Sequence, residues 1–165
     1  MDLRSVQRPL KEKYRSEPGS SRITLEAKAS QQDTPISCSV NIGRAIYEAE
    51  AHAGVGGTGT AACSGDLLLG ALAACAQVTC QMVAEAMGIE AERIEVRVEG
   101  ELDLAGTLGI ARDVPVGFES IGTTFDVVAP HVTEEQLENL RRKTEQYCVV
   151  FQMLSDPPEL RTRWA

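Results

Sequence analysis

The stretch Leu67-Leu-Leu-Gly-Ala-Leu-Ala-Ala-Cys-Ala-Gln-Val-Thr-Cys-Gln-Met-Val-Ala84 decides the fold of this chain. Ser64 stands ahead of it as an N-cap, and Asp66 falls in the first turn, where the helix dipole favours a carboxylate. Gly88 follows as a C′ residue. The spacing predicts one helix of about 24 residues, roughly 36 Å long. A helix apolar on most faces is buried, either in a soluble core or at a dimer interface. The length also raises a transmembrane alternative. Gln77 and Gln81 interrupt the run, Asp66 and Glu85 bracket it, and no Lys/Arg flank marks a cytoplasmic side, so a buried helix is the preferred reading and no membrane partner is expected.

Shorter elements surround this helix. Residues 1–21 are polar and end in the cluster Glu17-Pro-Gly-Ser-Ser21; they read as an N-terminal arm with a helical turn or two around Val6–Tyr14. Arg22–Ala29 and Ile36–Ile42 alternate apolar and polar residues and predict strands joined by a hairpin loop. Ala45–Ala51 is a candidate third strand. Gly54-Val-Gly-Gly-Thr-Gly-Thr60 matches no phosphate-binding pattern and reads as a flexible approach to the long helix. Arg93–Leu104 and Phe118–Val128 alternate as strands with one wet face. Thr133 and Gln136 form a capping-box pattern ahead of the stripe Leu137, Leu140, Thr144. Cys148–Leu154 predicts a further helical turn or two, stopped by Pro157-Pro158, and Glu159–Trp164 a last short strand. This order gives an α+β class, with residues 22–165 as a single domain.

Composition narrows the function. The chain has 165 residues, 43% of them hydrophobic, and a formal net charge of −8. Basic residues are not clustered and aromatics are only 4%, which argues against nucleic-acid binding. Residues 1–21 lack the apolar core of a secretory signal. Five cysteines in that context predict a reducing, cytoplasmic setting, in which thiols are catalytic, metal-binding or simply buried. No C-x-x-C or H-x-x-x-H spacing supports zinc.

Cys75, inside the long helix, and Cys148, just after the amphipathic segment, are the residues on which chemistry turns. A nucleophilic cysteine needs thiolate character, and apolar burial alone makes a thiol inert. The face of Cys75 carries Leu68, Ala71, Leu72, Val78, Thr79 and Met82, and no activating group is read among them. The activator is expected from elsewhere, with Arg44 and His52 the nearest candidates in sequence. Cys80 lies about 140° around the helix from Cys75 and is poorly placed to pair with it. Cys38, Cys63 and Cys80 read as small buried or loop residues. On these residues alone, Cys75 and Cys148 are either a redox pair or two inert core thiols.

Several stretches together resemble the OsmC/Ohr family of osmotically inducible and organic-hydroperoxide-resistance proteins. They are Gly56-Gly-Thr-Gly-Thr60, Ser64-Gly-Asp-Leu-Leu-Leu-Gly-Ala-Leu-Ala-Ala-Cys75, Val96-Arg-Val-Glu-Gly100 and Cys148-Val-Val-Phe-Gln-Met-Leu154. The resemblance implies a curved, antiparallel-rich sheet with a long buried central helix, and an intertwined homodimer with active sites at the subunit interface. It implies Cys75 as peroxidatic thiol and Cys148 as resolving thiol, closing a disulfide that an external dithiol reduces. It implies no metal and no organic cofactor. Met82, Phe151 and Met153 would favour a fatty or aromatic hydroperoxide over hydrogen peroxide. The chain departs from the family in two ways. Gly65 stands where the peroxidases carry a Glu ten residues before the peroxidatic Cys, and the adjacent Asp66 lies about 180° around the helix from Cys75. The preceding loop holds His52 where they use an Arg. Two readings follow: a thiol peroxidase for organic hydroperoxides, or a non-catalytic dimer that binds an apolar small molecule or electrophile in the same pocket.

Overall fold

The computed structural model describes residues 3–24, 27–31, 37–42 and 45–164. They form helix α1 (Leu3–Ser16), strands β1 (Ala27–Gln31), β2 (Ser37–Ile42) and β3 (Ala45–Glu50), the long helix α2 (Ser64–Met87), strand β4 (Arg93–Glu101), the short α3 (Leu104–Thr107), strand β5 (Ser120–Val128), and helices α4 (Glu134–Tyr147) and α5 (Val149–Ser155). The mixed helix and antiparallel-strand architecture is the α+β class expected.

The chain divides into two compact units. Residues 1–69 with 100–121 form the first, and residues 70–99 with 122–165 the second. In the first unit, β1, β2 and β3 make an antiparallel meander in which Cys38 pairs with Ala49 and Val40 with Tyr47. Ala49 also bridges Ala62 in parallel, which ties the loop ahead of α2 to the sheet. Helix α1 runs 14 residues, longer than the turn or two predicted, and carries an Arg8–Glu12 pair one turn apart at 3.0 Å. Strand β1 begins only at Ala27: Arg22–Thr24 have no regular structure, and Leu25, Glu26 and the predicted hairpin loop 32–36 lie outside the described residues.

The second unit holds the core. Cys80, Ala84, Ile89 and Leu140 are buried together, with Val83, Met87, Ile94, Phe125 and Val127 packed against them. Strands β4 and β5 lie side by side, and the alternation of exposed and covered residues along both gives the single wet face expected. Gly88 ends α2 at φ 69°, a left-handed value that costs glycine nothing. Helix α4 starts in a complete capping box: Thr133 Oγ1 accepts from the Gln136 N–H, and the Gln136 side chain accepts from the Thr133 N–H.

Within one chain α2 buries one stripe, Leu72, Ala76, Cys80 and Ala84 at every fourth residue, while Val78 is 53% exposed. One expectation is corrected. Residues 157–164 form no strand, and Leu160 and Trp164 are 89% and 96% exposed. A strand is held by a neighbour's backbone groups, and this segment has no partner strand among the described residues.

Candidate active site

The second unit brings Cys75 and Cys148 together. Both are unoxidised, with Cys75 half-buried and Cys148 buried at 1% exposure. Cys148 is the one residue between α4 and α5. Its backbone is extended (φ −74°, ψ 107°), so it ends the first helix and starts the second. Its N–H closes onto Thr144 O at 2.9 Å, and its carbonyl accepts the first intrahelical bond of α5, from Gln152 N, also at 2.9 Å.

The first turn of any helix leaves N–H groups without intrahelical acceptors, and α5 has no side-chain cap to take them. Sulfur takes them instead. The N–H groups of Val149 and Val150 donate to Cys75, and those of Phe151 and Val150 donate to Cys148. Cys75 also accepts from the Cys148 thiol and from the Thr79 hydroxyl. Burial pushes the Cys75 thiol up, but these donors outweigh it and the group settles below the ordinary thiol range. Cys148 moves the other way. Burial raises it most, and the neighbouring Cys75 sulfur adds to the rise against the amide of Phe151. The surroundings thus push the two thiols apart, Cys75 toward the thiolate and Cys148 away from it.

Cys80, on the same helix, is an internal comparison. It is 2% exposed, and burial pushes its thiol up, with the neighbouring Thr144 side chain acting the other way. It is the inert core cysteine that the sequence suggests.

The other candidate residues sit in the first unit. His52 precedes the 3-10 turn Ala53–Val55, and its Nδ1 accepts the Gly54 N–H at 3.0 Å. Asp66 Oδ2 accepts the Cys63 N–H at 2.9 Å and fastens the entry to α2; that bond, the Cys63 thiol and the charge of His52 hold its carboxyl below the usual range. Arg44 lies outside the described residues. A Cβ at Gly65 would come within 3.3 Å of the Phe118 ring and 3.5 Å of Cys63 Sγ, so the position expected to carry a carboxylate faces an aromatic ring. Among the described residues no group of three or more His, Cys, Asp or Glu side chains is placed to hold a metal ion.

Thr79, one turn on along α2, also acts to lower the Cys75 thiol, a contribution not assigned from the sequence. The amides of Val149 and Val150 were not foreseen either. The available signal was a cysteine at the junction of two helical segments, with no Ser, Thr, Asp or Asn to cap the second.

A family model described as OsmC-like protein matches residues 57–163. No curated protein matches the sequence. Among solved structures, an OsmC-like protein from Mycoplasma pneumoniae is similar with a TM-score of 0.68 at 18% identity, covering 82% of this chain and 89% of its own. An organic hydroperoxide resistance protein OsmC from Legionella pneumophila is similar at 0.60 and 18% identity, covering 82% and 92%. The organic hydroperoxide resistance protein OhrB of Bacillus subtilis is similar at 0.52 and 19% identity, covering 82% and 93%. With the family model spanning most of its length, the chain belongs to the OsmC-like protein family.

Proposed function

We propose that this chain is a thiol-dependent peroxidase for organic hydroperoxides, with Cys75 as the attacking thiol and Cys148 as the resolving one. The observation that carries the reading is the convergence of four donors from α2, Cys148 and α5 on the Cys75 sulfur. Family membership and the hydroperoxide-resistance names of the Legionella and Bacillus proteins support a peroxide-related redox role.

In the first step the Cys75 thiolate attacks the terminal oxygen of the hydroperoxide. An S–O bond forms, the O–O bond breaks, and the leaving alkoxide takes a proton to become an alcohol. The sulfur, oxidised by two electrons, is now a sulfenic acid. Cys148 then loses its proton and attacks that sulfur. The S–S bond forms, the S–O bond breaks, and the oxygen leaves as water. An external dithiol returns the pair to two thiols and is itself oxidised to a disulfide. No metal or organic cofactor takes part in these steps.

The working unit in this proposal is a homodimer in a reducing cytoplasm. Support comes from apolar surface that one chain leaves uncovered: Val78 and Met82 on α2, Val149 and Met153 on α5, and Trp164 near the C-terminus. The same apolar surroundings suit a fatty or aromatic hydroperoxide.

The test is consumption of cumene hydroperoxide with a dithiol reductant by the wild type and by Cys75→Ser. Turnover that vanishes in Cys75→Ser, with a reversible Cys75–Cys148 disulfide by mass spectrometry, is the expected result. Equal background rates in both proteins would overturn the proposal and leave the non-catalytic binding dimer, which Gly65 in place of a carboxylate favours.

A further inference from the structure

The glycine-rich loop 54–60 is held by two ionisable side chains that precede it. At its far end the Glu50 carboxylate accepts from the Thr58 hydroxyl at 2.7 Å and from the N–H groups of Thr60 at 2.5 Å and Ala61 at 3.0 Å. These donors lower the carboxyl to about 2, so this end stays fastened near neutral pH. At the near end His52 Nδ1 accepts the Gly54 N–H at 3.0 Å. The His52 carbonyl accepts from Val55 N–H at 2.9 Å and Gly57 N–H at 3.1 Å, so the 3-10 turn Ala53–Val55 closes on this one residue. Closure needs glycine at position 54: a Cβ there would lie 3.1 Å from His52 Nδ1 and overlap the Leu104 side chain. An imidazole that accepts at Nδ1 is neutral and carries its proton on Nε2. A second proton turns Nδ1 from an acceptor into a donor facing another N–H. Histidine is the side chain that ordinarily makes this change between about pH 5 and 8.

We propose that His52 is a pH-operated latch on the glycine-rich loop, closed as neutral imidazole and released as imidazolium. Among the described residues, the groups around it set the balance. Asp66, in the first turn of α2, is the carboxylate whose charge interacts with His52, and it attracts the ring once that ring is cationic. Glu50 is committed to Thr58, Thr60 and Ala61. Helix α3 brings the apolar Leu104 against Gly54, and its capping residue Asp103 accepts from Ala105 N–H at 2.8 Å. The bond to Gly54 is therefore present above the midpoint of His52 and lost below it. Release frees the turn from Ala53 to Gly57, while Glu50 keeps Thr58 to Ala61 in place. The loop runs on into α2, so the charge of one imidazole acts directly ahead of the helix that carries Cys75. Nothing in this latch requires the peroxidase reading of Cys75.

Heteronuclear NMR of the full chain between about pH 5 and 8 tests the latch. It follows the His52 ring nitrogens and the hydrogen exchange of the Gly54 amide, corrected for the intrinsic pH dependence of exchange. His52→Asn supplies an oxygen that accepts from the N–H two residues on and does not titrate. His52→Ala supplies no acceptor. In wild type the neutral ring should carry its proton on Nε2. Gly54 protection should fall by roughly three- to tenfold as the ring is protonated, with one midpoint for both. Protection should be independent of pH in His52→Asn and low throughout in His52→Ala. Asp66→Asn keeps an acceptor for the Cys63 N–H and should move the midpoint down, because the imidazolium loses its carboxylate. A neutral ring protonated on Nδ1, a Gly54 amide that does not follow the ring, or a pH dependence that persists in His52→Asn would overturn the proposal. An unmoved midpoint in Asp66→Asn would overturn the part given to Asp66.

Discussion

Thr144→Val should make the protein more stable. Thr144 is 1% exposed, and its Oγ1 has no hydrogen-bond partner of acceptable geometry. The Cys80 thiol is its polar neighbour, and a thiol is a weak one. Leaving a buried hydroxyl unsatisfied costs about 1–3 kcal/mol. Valine fills almost the same volume, its helix propensity is close to that of threonine, and its extra methyl gains from burial. Against this stands the loss of the weak contact to Cys80. The balance is a stabilisation of about 1 kcal/mol, which for a chain of this size raises the melting temperature by about 2–4 °C. The backbone bond from Cys148 N–H to Thr144 O is untouched, so Cys75 should alkylate as in the wild type. Urea titration at fixed protein concentration measures the change, with an unaltered m-value as the check that only stability moved. A double-mutant cycle with Cys80→Ala should give a coupling near zero. A loss of about 1 kcal/mol or more in Thr144→Val, with strong coupling to Cys80, would refute the reasoning by showing that the hydroxyl is properly paired.

Two further outcomes follow from the same physics. Leu72→Ala removes one of the largest fully buried side chains of α2 and should cost about 2–5 kcal/mol in chemical denaturation; a cost under about 1 kcal/mol would mean that the helix is not anchored by this stripe. Glu50 is hydrogen-bonded by the Ala61 N–H, the Thr58 hydroxyl and the N–H groups of Thr60 and Thr58, which lower its carboxyl to about 2. A depressed carboxyl contributes stability above its unfolded value and loses it as the pH falls through the folded one. The advantage of wild type over Glu50→Gln should therefore be full at pH 7 and shrink between roughly pH 4.5 and 2. Thermal melts across that range that stay a constant distance apart would count against the assignment.

Local signals in the sequence were sufficient where the structure is local. Asp66 and Gly88 bound α2 because caps are written within a few residues of a helix end, although Ser64, read as the N-cap, is the first helical residue and Cys63 takes the cap position. Thr133 and Gln136 mark the start of α4 for the same reason. The alternation along β4 and β5 is read from a period of two, and it survives in the structure. The C-terminal segment fails as a strand because its propensity is real but a pairing partner is a tertiary matter. The candidate site divides in the same way. Cys75 and Cys148 are legible as residues, and Thr79 was legible in principle, since a turn of helix separates it from Cys75. The amides of Val149 and Val150 were not legible, because backbone N–H groups carry no residue identity, and their arrival at Cys75 depends on how α5 packs.

The junction at Cys148 has a consequence for oxidised protein. In the reduced state the first amides of α5 are occupied by sulfur, chiefly by the atom that prefers to be an anion. Once that sulfur is tied into a disulfide it carries no negative charge and accepts hydrogen bonds poorly. In the proposed cycle, disulfide formation would therefore weaken the acceptors at the start of α5 and loosen that helix end from Val149 until reduction restores them. The redox state of one bond is in this way written into the order of a helix end, where amide exchange at Val149 and Val150 can read it. In that cycle a reductant would meet a loosened surface at the place where the disulfide must be reached.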